Sequence, residues 1–270
     1  MRLSVVQNPL NYPARPPLLN TSHPAYQNIR MAPVALPGAA MRDLVTNITY
    51  NNVSTGGQSR TDVTPIGHGV YPGANANLSY IAIPPLVAGE TFNEDTIAVI
   101  FQARAPMTVG QGMVGENIAN GGSFKLQTGN TGNINLVSVG SNLWAVPAVD
   151  GHCYFAAASL LKARNSSNSV VRNLTTGQLW TFTNAAAGGA PVAGTAYNVV
   201  TYNTVSGVNP GRIACASLSA KYTRPADLLR WARDPWSLWY APPALVGARK
   251  VDAPVVTPTT GSGAALMIGA

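Results

Sequence analysis

The sequence predicts an all-β chain: an antiparallel β-sandwich closed by one short helix, with an extended arm in front. Three observations predict it. Short β-type runs recur between Gly, Asn and Pro turns from about residue 41 to 222. No helical periodicity alternates with them, which argues against a parallel α/β sheet. One stretch, "YTRPADLLRWARDPWSLWYAPP" at 222–243, differs from everything else, with Leu, Trp and Tyr set among Arg and Asp.

The chain reads as three segments: an arm over 1–40, a body over 41–240 and a tail over 241–270. The arm carries Pro9, Pro13, Pro16, Pro17, Pro24, Pro33 and Pro37. Each fixes φ, removes an amide donor and disfavours helix at the residue before it. Apolar and aromatic side chains lie between them, so the arm is expected along a surface, not free in solvent. The residues expected to touch a partner are Leu10, Tyr12, Arg15, Leu18, Tyr26 and Arg30.

In the body the candidate strands begin at Asn47, Leu78, Thr96, Asn133, Leu143, His152, Asn168, Gln178, Ala196 and Arg212. Ten strands at this spacing fit an antiparallel sandwich or barrel. The helix is placed over Arg224–Arg233. Pro225 suits its first turn, Asp227 favours the positive end of the dipole, and Arg230 and Arg233 favour the other. Leu228, Leu229 and Ala232 share a face by 3–4 spacing. Pro235 ends the helix, and Trp236 and Trp239 follow as a plug. With Leu228 and Leu229 they form a structural clasp that locks the end of the body. The same two Trp are the candidates for stacking a sugar. The tail is Pro, Gly, Ala and Thr, expected in an extended form.

Composition narrows the function. Charged residues make up 10% of the 270, against about 25% in an average soluble protein. The net charge of +7 comes from seventeen bases against only ten acids. Over the first sixty residues five Arg face one acid, Asp43. That footprint is too thin for nucleic acid, which uses clustered Lys and Arg. No secretory signal and no run of about 18 apolar residues is present, so no membrane partner is expected.

Catalytic groupings are absent from the reading. His152 and Cys153 are neighbours on a strand, so they point to opposite faces and share no proton. Glu90, Glu94 and Asp95 form the one acidic cluster and read as a solvated turn, not as a glycosidase pair. Asp62 and Asp150 are isolated, and His23 and His68 lack metal-ligand spacing. Cys153 and Cys215 are too few for a disulfide framework and lack metal-ligand spacing, and the sequence leaves open whether they pair. The expectation is no enzyme, no cofactor and no metal.

Several motifs, in order, carry a resemblance. "GRIACASLSAKY", "RPADLLRWA" and "RDPWSLW" stand as last strand, helix and aromatic close; "SHPAYQNIRMA" (22–32) and "MRDLVTNITYNN" (41–52) stand at the front; "TIAVIFQAR" and "VVRNLTTGQLW" lie between. Over roughly 22–240 this resembles the laminin-G-like, concanavalin A-like jelly-roll domains of tailed bacteriophages. Two departures occur: Arg224 stands where the family caps its helix with Ser, and Asp227 where it has Glu. Thr223 is expected to supply the cap instead. The resemblance implies a virion structural protein, made in the bacterial cytoplasm and carried on the phage particle. Two uses compete. In one the chain is a capsid decoration or cement protein on the head surface, its partners the major capsid protein and neighbouring copies of itself. In the other it is a tail-fibre or adsorption module that binds host-surface glycans.

Overall fold

The computed structural model describes residues 13, 16–38, 40–51, 60–71, 81–83, 94–104, 111–116, 124–128, 132–138, 141–185, 197–199 and 211–241. In chain order its strands open with β1 (Ile29–Met31), β2 (Pro33–Leu36), β3 (Ala40–Asp43), β4 (Thr49–Asn51), β5 (Arg60–Thr64) and β6 (Gly67–Tyr71). Then come β7 (Ile81–Ile83), β8 (Glu94–Gln102), β9 (Gln111–Glu116), β10 (Phe124–Thr128), β11 (Asn133–Ser138) and β12 (Ser141–Pro147). The last are β13 (Cys153–Leu161), β14 (Ser166–Asn173), β15 (Leu179–Ala185), β16 (Tyr197–Val199) and β17 (Arg212–Ser219), before the helix α1 (Pro225–Arg233).

Two antiparallel sheets result. The larger runs β15-β14-β13-β8-β17-β2-β3-β4, with β1 and β6 also on β17 and β5 on β6. The smaller runs β12-β11-β10-β9-β16-β7. The fold is the expected all-β sandwich with one short C-terminal helix. Each of the ten predicted runs contains a strand.

The three central strands of the large sheet explain the layering. β8 and β17 are buried along almost their whole length, as is β13. In an antiparallel sheet with one wet face, alternate residues would be polar. Here Ile97, Val99 and Phe101 of β8 face the small sheet, with Tyr154, Ala156 and Leu160 of β13 beside them. Ala98 and Ile100 face the other way, with Phe155, Ala157 and Cys215, onto Leu228, Trp231, Trp236 and Trp239. So α1 and the segment after it form a third layer. The one α-helix among the described residues covers the outer side of the large sheet, which is apolar on both sides.

The arm boundary is corrected. β1 and β2 lie within 1–40, yet both pair with β17, so the body begins well before residue 41. Proline signals exclude helix but not an edge position: Pro33 is the first residue of β2, where a missing donor is tolerated. Leu10, Tyr12 and Arg15 lie outside the described residues, as does the tail from 242.

Gly211, ahead of β17, has φ +115, and a Cβ there would sit 2.1 Å from the Gln102 carbonyl oxygen. Both the dihedral and the contact require glycine. Gly211→Ala is expected to cost about 3 kcal/mol, read as a lower urea midpoint at unchanged slope.

Candidate functional site

The site is built where three segments meet. The first, "NTSHPAYQN", turns through a short 3₁₀ segment, Pro24–Tyr26, with His23 as its cap. His23 Nδ1 accepts from the Ala25 amide at 3.1 Å. Pro24 has no amide to compete, so the imidazole is free to serve the next one. The second segment leaves β17. Thr223 is pinned to the ends of β8 and β13: its amide donates to Ser159 Oγ at 2.8 Å, and its hydroxyl accepts from Thr96 Oγ1 at 3.0 Å. The third is the first turn of α1. Its N-cap is Arg224, which makes no side-chain cap bond. Thr223 does not replace the missing cap: its hydroxyl accepts from Thr96, while the Asp227 and Leu228 amides donate to the Arg224 carbonyl.

These segments enclose a cleft of about 620 Å³ whose walls include Ser22, His23, Lys221, Tyr222, Arg224, Asp227 and Arg230. Asp227 is 7% exposed. It accepts from Arg224 Nε at 3.0 Å and from Arg230 Nη1 at 3.3 Å. Two guanidinium groups thus hold one carboxylate, and their remaining N–H groups face outward. Tyr222 Oη accepts from Asn168 Nδ2 at 2.8 Å, which leaves its own proton to donate. His23 lies edge-on to Trp231 at 4.6 Å between centroids. Burial lowers its pKa from 6.5 to about 4, against an opposing pull from Asp227. It is therefore neutral near pH 7. With Nδ1 accepting, its proton sits on Nε2.

The strap beside the cleft joins the two ends of the body. Leu18 and Tyr240 form a parallel bridge. The Leu18 amide donates to Trp239 O at 2.9 Å, Asn20 N to Leu238 O at 2.8 Å, and Ala241 N to Leu18 O at 2.8 Å. Leu18 itself is 65% exposed. Tyr26 is half-buried against the outer cluster. Arg30 is half-buried in β1.

Leu228, Trp236 and Trp239 lie in the cluster under the helix, while Leu229 is only half-buried at its flank. Trp231 takes the place that the sequence reading gave to Leu229. The i, i+3, i+4 spacing of Leu228, Trp231 and Ala232 is the signal that finds it. The sugar-stacking role of Trp236 and Trp239 is corrected. Trp239 is fully buried, its Nε1 donating to Ala216 O at 3.0 Å and its ring 5.6 Å from that of Trp231. Trp236 is 4% exposed and meets Tyr240 edge-on. Neither offers a face.

Other candidates resolve similarly. Glu94 and Asp95 belong to β8, not to a solvated turn, and Asp95 is 2% exposed. By strand alternation it points between the sheets, paired with Leu160 and followed across by Ser167 and Asn184. Ser167 Oγ and Asn184 Nδ2 in that row have no hydrogen-bond partner. His152 Nδ1 lies 3.0 Å from Asn173 Nδ2, while burial raises the Cys153 thiol to about 11 and Cys215 well above its ordinary value. Both thiols are free. They sit on strands either side of β8, about 10 Å apart and beyond bridging distance. Asp62 is bound by Arg212 at 2.7 Å.

No protein-family model and no curated protein matches the chain. Solved structures do. Domain 4 of AbnA, a GH43 extracellular arabinanase of Geobacillus stearothermophilus, in complex with arabinotriose, is 13% identical over 76% of this chain and 100% of that one, with TM-score 0.52. A Trypanosoma rangeli sialidase is 9% identical over 85% of this chain and 37% of its own, with TM-score 0.52. The botulinum neurotoxin serotype D binding domain is 10% identical over 80% and 52%, with TM-score 0.54. The chain thus spans all of the arabinanase domain but little more than a third of the sialidase. At these identities the likeness is one of fold, a β-sandwich found in carbohydrate-binding and carbohydrate-cleaving proteins. It corrects the expectation of a non-enzyme: glycosidases supply two of the three structures, so this fold and the missing sequence motifs do not exclude catalysis.

Proposed function

We propose that the chain is a structural protein of a bacteriophage particle, a decoration of the head held to the major capsid protein and to neighbouring copies by the segments before residue 16 and after residue 241. One observation carries this: the parallel bridge of Leu18 with Tyr240 roots both segments at one place on the body. Two tethers rooted at one place stay within reach of one neighbourhood, and the second contact gains from the effective concentration set by the first. The order of family-like motifs supports the phage assignment. "SHPAYQNIRMA" supplies the turn and β1, and "RPADLLRWARDPWSLW" supplies the helix and its aromatic close, as the resemblance implies.

A second reading, an adsorption module that binds host glycans, is favoured by the polar cleft and by the arabinotriose carried on the AbnA domain of like fold.

Truncation tests the first reading. Chains lacking 1–15 or 242–270 keep every bond of the strap and are expected to fold. Each should bind particles stripped of the protein at least tenfold more weakly than the full chain, and the double truncation should not bind. Full retention by the double truncation would sink the reading.

A further inference from the structure

We propose that the cleft between the His23 turn and the start of α1 binds an acidic saccharide, a sugar ring carrying a carboxylate. This deepens the second reading above. It is argued from the cleft alone and does not depend on attachment to a particle.

The charge is the first argument. Lys221, Arg224 and Arg230 stand against the single carboxylate of Asp227, with His23 neutral. No described residue bonds the Lys221 ammonium. Each guanidinium spends one N–H on Asp227, and Arg224 and Arg230 are 78% and 77% exposed at their side chains, so a planar fork remains on each for a ligand carboxylate. Glu94, whose Oε2 accepts from the Tyr222 amide at 3.3 Å, is the other acid nearby and is turned to that amide.

The second argument is an unspent donor. His23 is 7% exposed and lines the cleft. Its Nδ1 is taken by Ala25, and no described residue bonds Nε2. A neutral imidazole N–H held rigid by Trp231 suits an uncharged acceptor such as a sugar hydroxyl or ring oxygen. Tyr222 also lines the cleft, and its hydroxyl keeps a proton after accepting from Asn168. Neutral donors beside cations are what a polyol with one acidic group requires.

The third argument is size. A cleft of about 620 Å³ is within the range of roughly 300–1,000 Å³ typical for small-molecule sites. It is far larger than a single inorganic anion needs.

The full chain should be tested on an array of uronate- and nonulosonate-bearing saccharides with their neutral counterparts, and by calorimetry with inorganic phosphate as a third probe. Carboxylate-bearing sugars are expected to bind at least tenfold more tightly than neutral ones in low salt. Lys221→Ala, which removes no bond of the fold, should weaken them about threefold, and R224A/R230A at least tenfold, measured where the variant is folded because it also strips both partners from Asp227. Binding of neutral sugars without preference for acids would overturn the inference and leave the second reading standing. Binding of no saccharide would overturn both, and phosphate competing on equal terms would mark an anion site without sugar recognition.

Discussion

Trp239→Ala is expected to remove about 4–5 kcal/mol of stability. The indole is fully buried between the large sheet and α1. Truncating a buried Trp costs about 3–5 kcal/mol, because the transfer free energy is lost and a cavity remains. The bond from Nε1 to the Ala216 carbonyl goes too, and leaving that acceptor without a partner adds about 1 kcal/mol. Domains of this size hold about 5–15 kcal/mol in total, so the loss is between about a quarter and all of it. Trp239→Phe keeps most of the volume and loses the N–H, and should cost only about 2 kcal/mol. Leu229→Ala, on the half-buried flank of the same helix, should cost about 1 kcal/mol. Urea denaturation of the three variants orders them. If Trp239→Ala falls within 1 kcal/mol of the parent, the outer layer is not holding the sheet.

The same layer shows which features the sequence could display. "TIAVIFQAR", "CYFAAASLL" and "RIACASLS" are continuous apolar runs, legible as strands because their whole length is buried. The hairpin of β5 and β6 was not, because "RTDVT" and "GHGVY" mix glycine and polar residues at a sheet margin. β1 and β2 were obscured by prolines that a strand's first residue and its turn accept. The helix was legible from Pro225, Asp227 and Arg233, but its buried face was set by the sheet beneath, which selected Trp231 over Leu229. The cleft had no signature at all. Its walls come from Thr21–Gln27 and Lys221–Arg230, about two hundred positions apart, and the pairing of β1 with β17, with the strap between Leu18 and Tyr240, brings them together. His23 carried no metal spacing and so no chemistry in sequence. Its role comes from one amide two residues on and one indole from the helix.

That environment gives His23 a measurable signature. Its pKa is the ordinary 6.5 in the unfolded chain and about 4 in the fold, with burial the main cause. Protonation would also place a second proton on Nδ1, where the Ala25 N–H already points. Between these two values the unfolded chain binds a proton that the folded one refuses. Stability from this group is therefore complete above pH 6.5, declines as the pH falls toward 4, and is lost below it. The total is about 3 kcal/mol, at 1.4 kcal/mol for each pKa unit. Asp227 across the ring favours the charged imidazole, while Lys221, Arg224 and Arg230 in the same cleft oppose it. The folded value already reflects the local carboxylate. His23→Asn keeps an acceptor at the cap but does not titrate. Carboxylates elsewhere contribute to acid unfolding in both proteins, so the difference between the two curves isolates the imidazole. Urea midpoints from pH 7.5 to 4 should fall more steeply in the parent, with the greatest difference in slope, close to one proton, near about pH 5. Parallel curves would mean that His23 titrates freely, and that the turn it caps opens to water.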